Sequence, residues 1–385
     1  MKVGVYQIGR HAHDGGARTF ESTVCEELAR SNVSHQFVSV VHRQTQTPFP
    51  SLVLPNAFLK RLVNRAYHNL GLNPFFDFGR CLRASGVDLL YSPMPSVPCQ
   101  DIPYMLTCWD LQHRRQPFFP EVSIARSGFK RAWDDRELYY NRVLPRATAI
   151  FSGTSEGKQE ITHFYRVSPD RVHVNPFFSP TKFSNTIASH PTWLPSSRFV
   201  VYPAQFWPHK NHLSLIDALK SLHVAGFNDL HLVLPGADKP KEFGTRERIR
   251  KQVMSLGLSQ FVHMPGFVPD AELRWLYENA QALVFVSLFG PDNLPPLEAM
   301  SLSCPVIAAD VPGALEQLGD AAMIVKPTCH ESIAKCILKV MKDEDIRQQL
   351  INAGLSLVSL RSPERYVANV LQVIDDYSKL RRCWI

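Results

Sequence analysis

The chain has 385 residues and a mass of 43.6 kDa, more than the ~100–200 residues that one core organises, so two domains are expected. Hydrophobic residues at 45% and charged residues at 20% exclude disorder, and 19 glycines and 29 prolines without a period exclude collagen-like and low-complexity chains. The net charge of +7 sits in the front half, where residues 1–197 carry 22 basic and 15 acidic side chains against 20 of each in 198–385. An excess of that size suits nucleic acid, an anionic membrane surface, a phosphorylated substrate or a plain solvated face.

The longest apolar runs, such as ALVFVS at 282–287, fall far short of the ~20 residues that cross a bilayer. The opening MKVGVYQIG has no leader pattern, and a soluble, cytoplasmic chain is expected. The eight cysteines (25, 81, 99, 108, 304, 329, 336 and 383) form no CxxC pair and no zinc spacing. Neither a metal site nor a disulfide framework is expected, and most of them should be buried as small hydrophobes.

Strand-like runs alternate with helix-period segments from end to end. In chain order the front half offers strands at 2–8, 35–40, 88–92, 103–108, 148–153 and 171–175, with helices over 17–30 and 130–143 among them. The segment SPTKFSNTIASHPTWLPSS (179–197) has no periodicity and reads as an interdomain linker or surface loop. The back half offers strands at 198–203, 230–235, 260–264, 282–287 and 305–309, with helices near 211–225, 245–257, 270–280, 330–341 and 343–358. Continuously apolar strands separated by helices predict parallel sheets covered on both faces. Ligands then bind beyond the carboxyl ends of the strands, in the cleft between two Rossmann-like domains.

The first strand-to-helix junction, IGRHAHDGGARTFE, lacks the GxGxxG of a nicotinamide site. Its Gly15-Gly16 pair instead lets the backbone approach a ligand at a helix start, where exposed N–H groups favour an anion; an ordinary turn is the alternative. His11, His13 and Asp14 lie in the same loop as candidate acceptor contacts. Lys210, at the start of the helix after the strand 198–203, can put a positive charge beside a departing diphosphate. In FVSLFGPDNLPPLEAM (285–300) a buried strand runs into a Gly-Pro-Asp-Asn turn and a proline-started helix. There the N–H groups of Asn293 and Leu294 can face phosphate or sugar oxygens, and Glu298 can accept hydrogen bonds from a ribose diol. The aromatics of FFDFGR (75–80) and QPFFPE (116–121) read as core rather than sugar platforms.

The segment 285–325 resembles the signature of glycosyltransferase family 4, the retaining nucleotide-sugar transferases of GT-B fold, whose motif runs roughly E-G-F-G-L-P-x-x-E-A-M-A-x-G-x-P-V-I-A. The resemblance extends through 262–280 and 319–327 and back to PHKNHLSLIDAL (208–219), and more thinly to TCWDLQHRRQPFFP (107–120) and 153–167. It implies an α/β chain of GT-B fold, two Rossmann-like domains with parallel sheets facing across a cleft. Residues 1–180 would bind the acceptor, with a C-terminal helix over 362–385 packing back on them, and 198–360 would bind the donor. The resemblance assigns Glu298 to the ribose, Lys210 to the donor diphosphate and Gly16 to the glycine loop beside it, with Phe267 and Val268 in the loop near the base. Departures stand at three places: the first motif glutamate is Gly290, with Asp292 the nearest carboxylate; the usual arginine is Gln205; and the sugar-contacting histidine aligns with Trp109, leaving Asp110 and His113 beside it.

The reading that follows is a retaining hexosyl transfer from a UDP- or GDP-linked sugar to a saccharide or lipid-linked saccharide, as in cell-surface polysaccharide synthesis. Catalytic roles fall to Lys210, Asp110, His113 and Asp292, with no metal or other cofactor and no nucleic acid. A nucleotide-sugar 2-epimerase of the same fold would show donor turnover without an acceptor, and a non-catalytic nucleotide-sugar-binding subunit would bind without turnover. Segment 58–70 places Leu59, Leu62, Val63, Ala66, Tyr67 and Leu70 on one helical face beside Lys60, Arg61 and Arg65. Such a face suits either its own sheet or the inner surface of an anionic membrane.

Overall fold

A computed structural model describes residues 1–8, 16–44, 46–54, 78–127, 130–179, 181–237, 243–290 and 292–384. The first sheet holds β1 (Lys2–Tyr6), β2 (Gln36–Val41), β3 (Ser51–Val53), β4 (Leu89–Ser92), β5 (Tyr104–Thr107), β8 (Ala149–Ser152) and β9 (Val172–Val174), in the order 3-2-1-4-5-8-9. Every neighbouring pair is parallel, with Val3 opposite Phe37 and Leu89. A small antiparallel hairpin, β6 (Ala125–Ser127) and β7 (Lys130–Arg131), stands outside it. The helices are α1 (Gly16–Arg30), α2 (Phe78–Ala84), the short α3 (Gln112–Arg115) and α4 (Pro120–Ser123), α5 (Ala132–Val143) and α6 (Ser155–Tyr165). Thr154 caps α6 by accepting the Gly157 N–H at 3.2 Å, which explains why that helix starts where it does.

The second sheet, also parallel throughout, runs 12-11-10-13-14-15: β10 (Arg198–Val201), β11 (Leu230–Pro235), β12 (Val262–Gly266), β13 (Leu283–Phe285), β14 (Val306–Ala309) and β15 (Ala322–Val325). Its helices are α7 (His212–Val224), α8 (Thr245–Ser255), α9 (Asp270–Asn279), α10 (Leu294–Ser301), α11 (Ala314–Leu318), α12 (His330–Lys342) and α13 (Glu344–Leu360). The apolar residues of the inner strands are buried on both faces, as parallel sheets require, while the edge strands leave Val53 and Val174 exposed. The sequence pattern does not announce four strands: β3 and β15, which are sheet edges of three and four residues, and the hairpin strands β6 and β7 of three and two residues, all short runs for a period to show in.

The last helix, α14 (Pro363–Arg381), leaves the second domain and packs on the first. Ser362 caps it by accepting the Arg365 N–H, and Pro363 takes the first helical position. Tyr366, Val370 and Ile374 join Phe20, Phe151 and Phe178 in one buried cluster, and Tyr366 bonds Thr107 at 3.0 Å.

Three expectations change. The segment 179–197 is no loose surface loop: Phe183 and Leu194 are buried in the second domain's core, and Trp193 donates to Glu272 at 3.1 Å. Only three of the eight cysteines, Cys25, Cys108 and Cys304, are buried, while Cys383 is exposed. Of the aromatics read as core, Phe118 is 69% exposed. The amphipathic segment 58–70 lies outside the described residues, and none of the described helices is long and apolar enough to cross a membrane.

Candidate functional site

A cleft of about 850 Å³ lies beyond the carboxyl ends of both sheets. The first domain lines it with Gly16 and Thr19 at the start of α1 and with Trp109, Asp110 and Gln112 after β5. The second contributes Gln205 and Lys210 after β10, Gly236 after β11, Phe267 and Val268 after β12, and Gly290, Asp292 and Asn293 after β13. Gly15, His11, His13 and Asp14 lie outside the described residues.

Lys210 ends a short turn, Pro208–Lys210, held from three sides. Tyr202 donates to the Lys210 carbonyl at 2.9 Å, and the Asn211 side chain donates to the carbonyls of Val286 and Pro327. Asn211 takes the left-handed φ of +56°, which asparagine tolerates better than most residues. The Lys210 ammonium lies 5.2 Å from the Phe285 ring centre and donates to Ser287 Oγ at 3.4 Å. Ser287 spends its own proton on the Phe289 carbonyl, so a lone pair faces the lysine. Among the described residues no carboxylate pairs with Lys210, and burial pushes its pKa down to about 8 against the weaker pull of Asp110 and Glu121. The side chain is a cation without an anion.

Gln205, where the resemblance has an arginine, accepts from Trp207 Nε1 at 2.6 Å, which turns its amide. Asp110 accepts from Arg136 Nη2 at 2.5 Å and from the Gln112 N–H at 3.1 Å. Burial works to raise its pKa, but the Arg136 charge and these bonds win and hold it below the usual carboxylate range. Trp109, at the histidine position, is pinned by donating to the Pro93 carbonyl at 3.3 Å and forms a wall of the cleft.

His113 is the main correction. It is fully buried and lines no part of the cleft; its Nε2 lies 3.2 Å from Glu137 and 3.0 Å from the Tyr165 hydroxyl. Burial pushes it down to about 4, which makes it a neutral core histidine at physiological pH. Arg114 pairs with Glu137 and Arg115 with Glu156 and Glu160, so the cluster braces the first domain.

Two further expectations need correction around α10. The Asn293 N–H is already spent on Gln317 Oε1 at 3.2 Å, and Gln317 returns a bond to the Asn293 carbonyl at 2.9 Å. Leu294 packs its side chain against the first domain's core, where a Cβ added at Gly16 would come within 3.1 Å of Leu294 Cδ1. Glu298 is 4% exposed and does not line the cleft; it accepts from Tyr277 at 3.1 Å and pairs with Lys182 Nζ at 3.0 Å. Lys182, from the interdomain segment, is the group that reaches the cleft. Its only trace in the sequence was being the lone lysine in a Ser/Thr/Pro-rich stretch.

Asp292 does face the cleft, with its carboxyl packed against Gly153 of the first domain, where no Cβ would fit. Neither oxygen has a hydrogen-bond partner, and burial pushes the acid up to about 8, opposed by Arg361 and aided by Glu316, Glu160 and Asp110. At neutral pH it is a protonated acid and a hydrogen-bond donor. Gly290 cannot simply be a lost glutamate. Its φ of +121° is a glycine conformation, and a Cβ there would lie 2.6 Å from the Asn293 amide, which donates to the Gly290 carbonyl at 2.7 Å. Gly290→Glu is therefore expected to lower Tm and to leave activity no higher. A gain in kcat at unchanged Tm would show that the site still accepts the glutamate.

Residues 187–356 match the family model described as Glycosyl transferases group 1. The O-antigen chain mannosyltransferase B of Escherichia coli is 28% identical over 159 residues, which cover 41% of this chain and 40% of that protein. The MMP alpha-(1->4)-mannosyltransferase of Mycolicibacterium hassiacum is 27% identical over 263 residues, covering 66% of this chain and 61% of that protein. The chain thus spans less than two thirds of either relative. The solved sucrose-phosphate synthase of Thermosynechococcus elongatus superposes with a TM-score of 0.73 over 98% of this chain and 99% of that one, at 16% identity, a likeness that shows the fold.

Proposed function

We propose, for a chain of GT-B fold whose second half is a glycosyl transferases group 1 domain, that it transfers a mannosyl group from a nucleoside-diphosphate donor to a saccharide or lipid-linked saccharide, with retention at the transferred carbon. The observation that carries this reading is Lys210, a half-buried ammonium in the turn after β10 that has no carboxylate partner among the described residues. A diphosphate is the ligand that completes it. The mannosyl assignment is supported by the mannosyltransferases among the relatives.

Catalysis on this reading is positioning and charge. Lys210 stabilises the diphosphate as the bond to the sugar breaks, and the Gln205 amide adds a neutral donor where a second cation is missing. Asp110, kept ionised by Arg136, accepts from a sugar hydroxyl, and protonated Asp292 donates to another. The leaving diphosphate takes the acceptor's proton on the same face, which gives retention without a protein nucleophile. The charge at the leaving group comes from Lys210, so transfer is expected to survive EDTA.

The test is calorimetric titration with GDP-mannose, UDP-glucose and their diphosphates, followed by NMR of the product anomer. Binding of neither donor ends the reading, and an inverted product ends the retaining part. The pH dependence is a second check. Donor binding favours the ammonium, so affinity is flat below about pH 8 and falls above it by up to about tenfold per unit. Asp292 ionises near the same pH and pushes the same way, so the measurement belongs in Asp292→Asn. Affinity that stays flat to pH 9.5 in that variant removes Lys210 from the diphosphate.

A further inference from the structure

Beside the main cleft lies a second cavity of about 290 Å³, roughly ten water volumes and room for one sugar ring. Gln112, Glu121, Asp135 and Arg136 line it from the first domain, and Trp207 and His209 from the second. Gln112, Trp207 and His209 line both cavities and form the partition between them. We propose that this recess is the acceptor subsite, that it takes a neutral, hydroxyl-rich sugar rather than a phosphorylated one, and that its occupancy is coupled to that of the main cleft. The proposal rests on the reading of the main cleft as the donor site.

Three observations carry it. Gln112 is 7% exposed, and its Nε2 is buried without a hydrogen-bond partner. A buried amide N–H is rarely left unspent, and here it sits on the wall between the two cavities. A sugar hydroxyl entering the recess supplies the missing acceptor.

The charges come next. The lining carries two carboxylates, Glu121 and Asp135, while its one guanidinium, Arg136, is already committed to Asp110 at 2.5 Å. Carboxylates accept from hydroxyls and repel phosphates, so the recess selects against an anionic acceptor.

The third observation is where the recess is joined. His209 bonds Glu121 through its Nδ1, and its backbone N–H reaches the same carboxylate at 3.3 Å, which links the two domains. His209 precedes Lys210 in the Pro208–Lys210 turn, so a diphosphate on the lysine steadies the turn that completes the recess. Trp207, on the same segment, is fixed through Gln205, which faces the donor side. Donor and acceptor sites are therefore coupled, and coupling of binding is reciprocal.

The test is saturation-transfer NMR and calorimetry with methyl α-D-mannopyranoside, methyl α-D-glucopyranoside and mannose 6-phosphate, each with and without GDP or UDP. The expected result is that a methyl glycoside binds at least tenfold more tightly with nucleotide present, and that mannose 6-phosphate binds at least tenfold more weakly than the glycoside. Ala132→Phe, which fills the recess from a wall the cleft does not share, should weaken the glycoside at least tenfold and shift the nucleotide Kd less than twofold, and Gln112→Leu, on the shared partition, should weaken the glycoside at least tenfold. Asp135→Lys, at an exposed position that folding tolerates, should narrow or invert the preference against the phosphosugar. Nucleotide-loaded protein that binds neither glycoside, glycoside binding indifferent to Ala132→Phe, or an unchanged preference in Asp135→Lys overturns the proposal while leaving the donor reading intact. Failure of both nucleotides to bind overturns the donor reading and this coupling with it.

Discussion

Replacing Lys210 by alanine is expected to lower kcat by roughly 10²–10³-fold while raising the donor KM much less, the range seen when one preorganised charge or donor is removed from a developing anion. The half-buried side chain lies against the Phe285 ring and the Ser287 hydroxyl at the wall of the cleft, where charge is less screened than in open water. Charge on the leaving diphosphate grows towards the transition state, so the ammonium gains more there than in the bound donor. Arginine is a poor substitute, because the Phe285 face and the Ser287 hydroxyl shape a site for a compact cation. Steady-state kinetics with the donor found by titration reads the result. A loss confined to KM would make Lys210 a binding residue only.

Glu298→Gln is the second large effect, and the ion pair with Lys182 changes how it should be interpreted. Neutralising Glu298 leaves Lys182 without its nearest carboxylate at the edge of the cleft and removes the stronger acceptor from Tyr277. Charge-assisted bonds of this kind contribute ~1.5–3 kcal/mol, so the nucleotide Kd should rise at least tenfold. If the glutamate works by aiming the lysine at the ribose, Lys182→Met should cost as much, and the double variant little more than either alone. Two additive losses would make Glu298 a direct contact. An unchanged Kd in both variants would take the pair out of the donor site altogether.

How far the sequence could be read depended on the range of the signal. The apolar strands and the Lys210 turn are local patterns, and parallel sheets with a cleft at their carboxyl ends follow from them. His113 misled because a histidine among arginines, close after a strand end, looks the same whether it points out or in. Its own bonds to Glu137 and Tyr165, and the pairing of its neighbours with Glu137 and Glu160, all more than twenty residues away, show that it points in. Lys182 and Gln112 were invisible for the complementary reason: one lies in an aperiodic stretch and the other is an ordinary amide, and each matters only through what the second half of the chain brings against it. The residue name at Gly290 shows a departure from the motif, but that its backbone has left the region open to a glutamate is a matter of φ that no residue name records.

The return of α14 to the first domain sets an order of assembly. The second domain's core draws on one unbroken stretch beginning at Phe183, and all of it has been synthesised before Tyr366 exists. The first domain's core, although begun at Val3, is open on the face that Tyr366, Val370 and Ile374 will cover. On a ribosome adding residues from the amino end, the half made second is thus completed first, and the half made first waits with Phe20 and Phe178 exposed. A released chain ending between residues 360 and 366 would hold every residue of the second domain's core, attached to a first domain that cannot close its own.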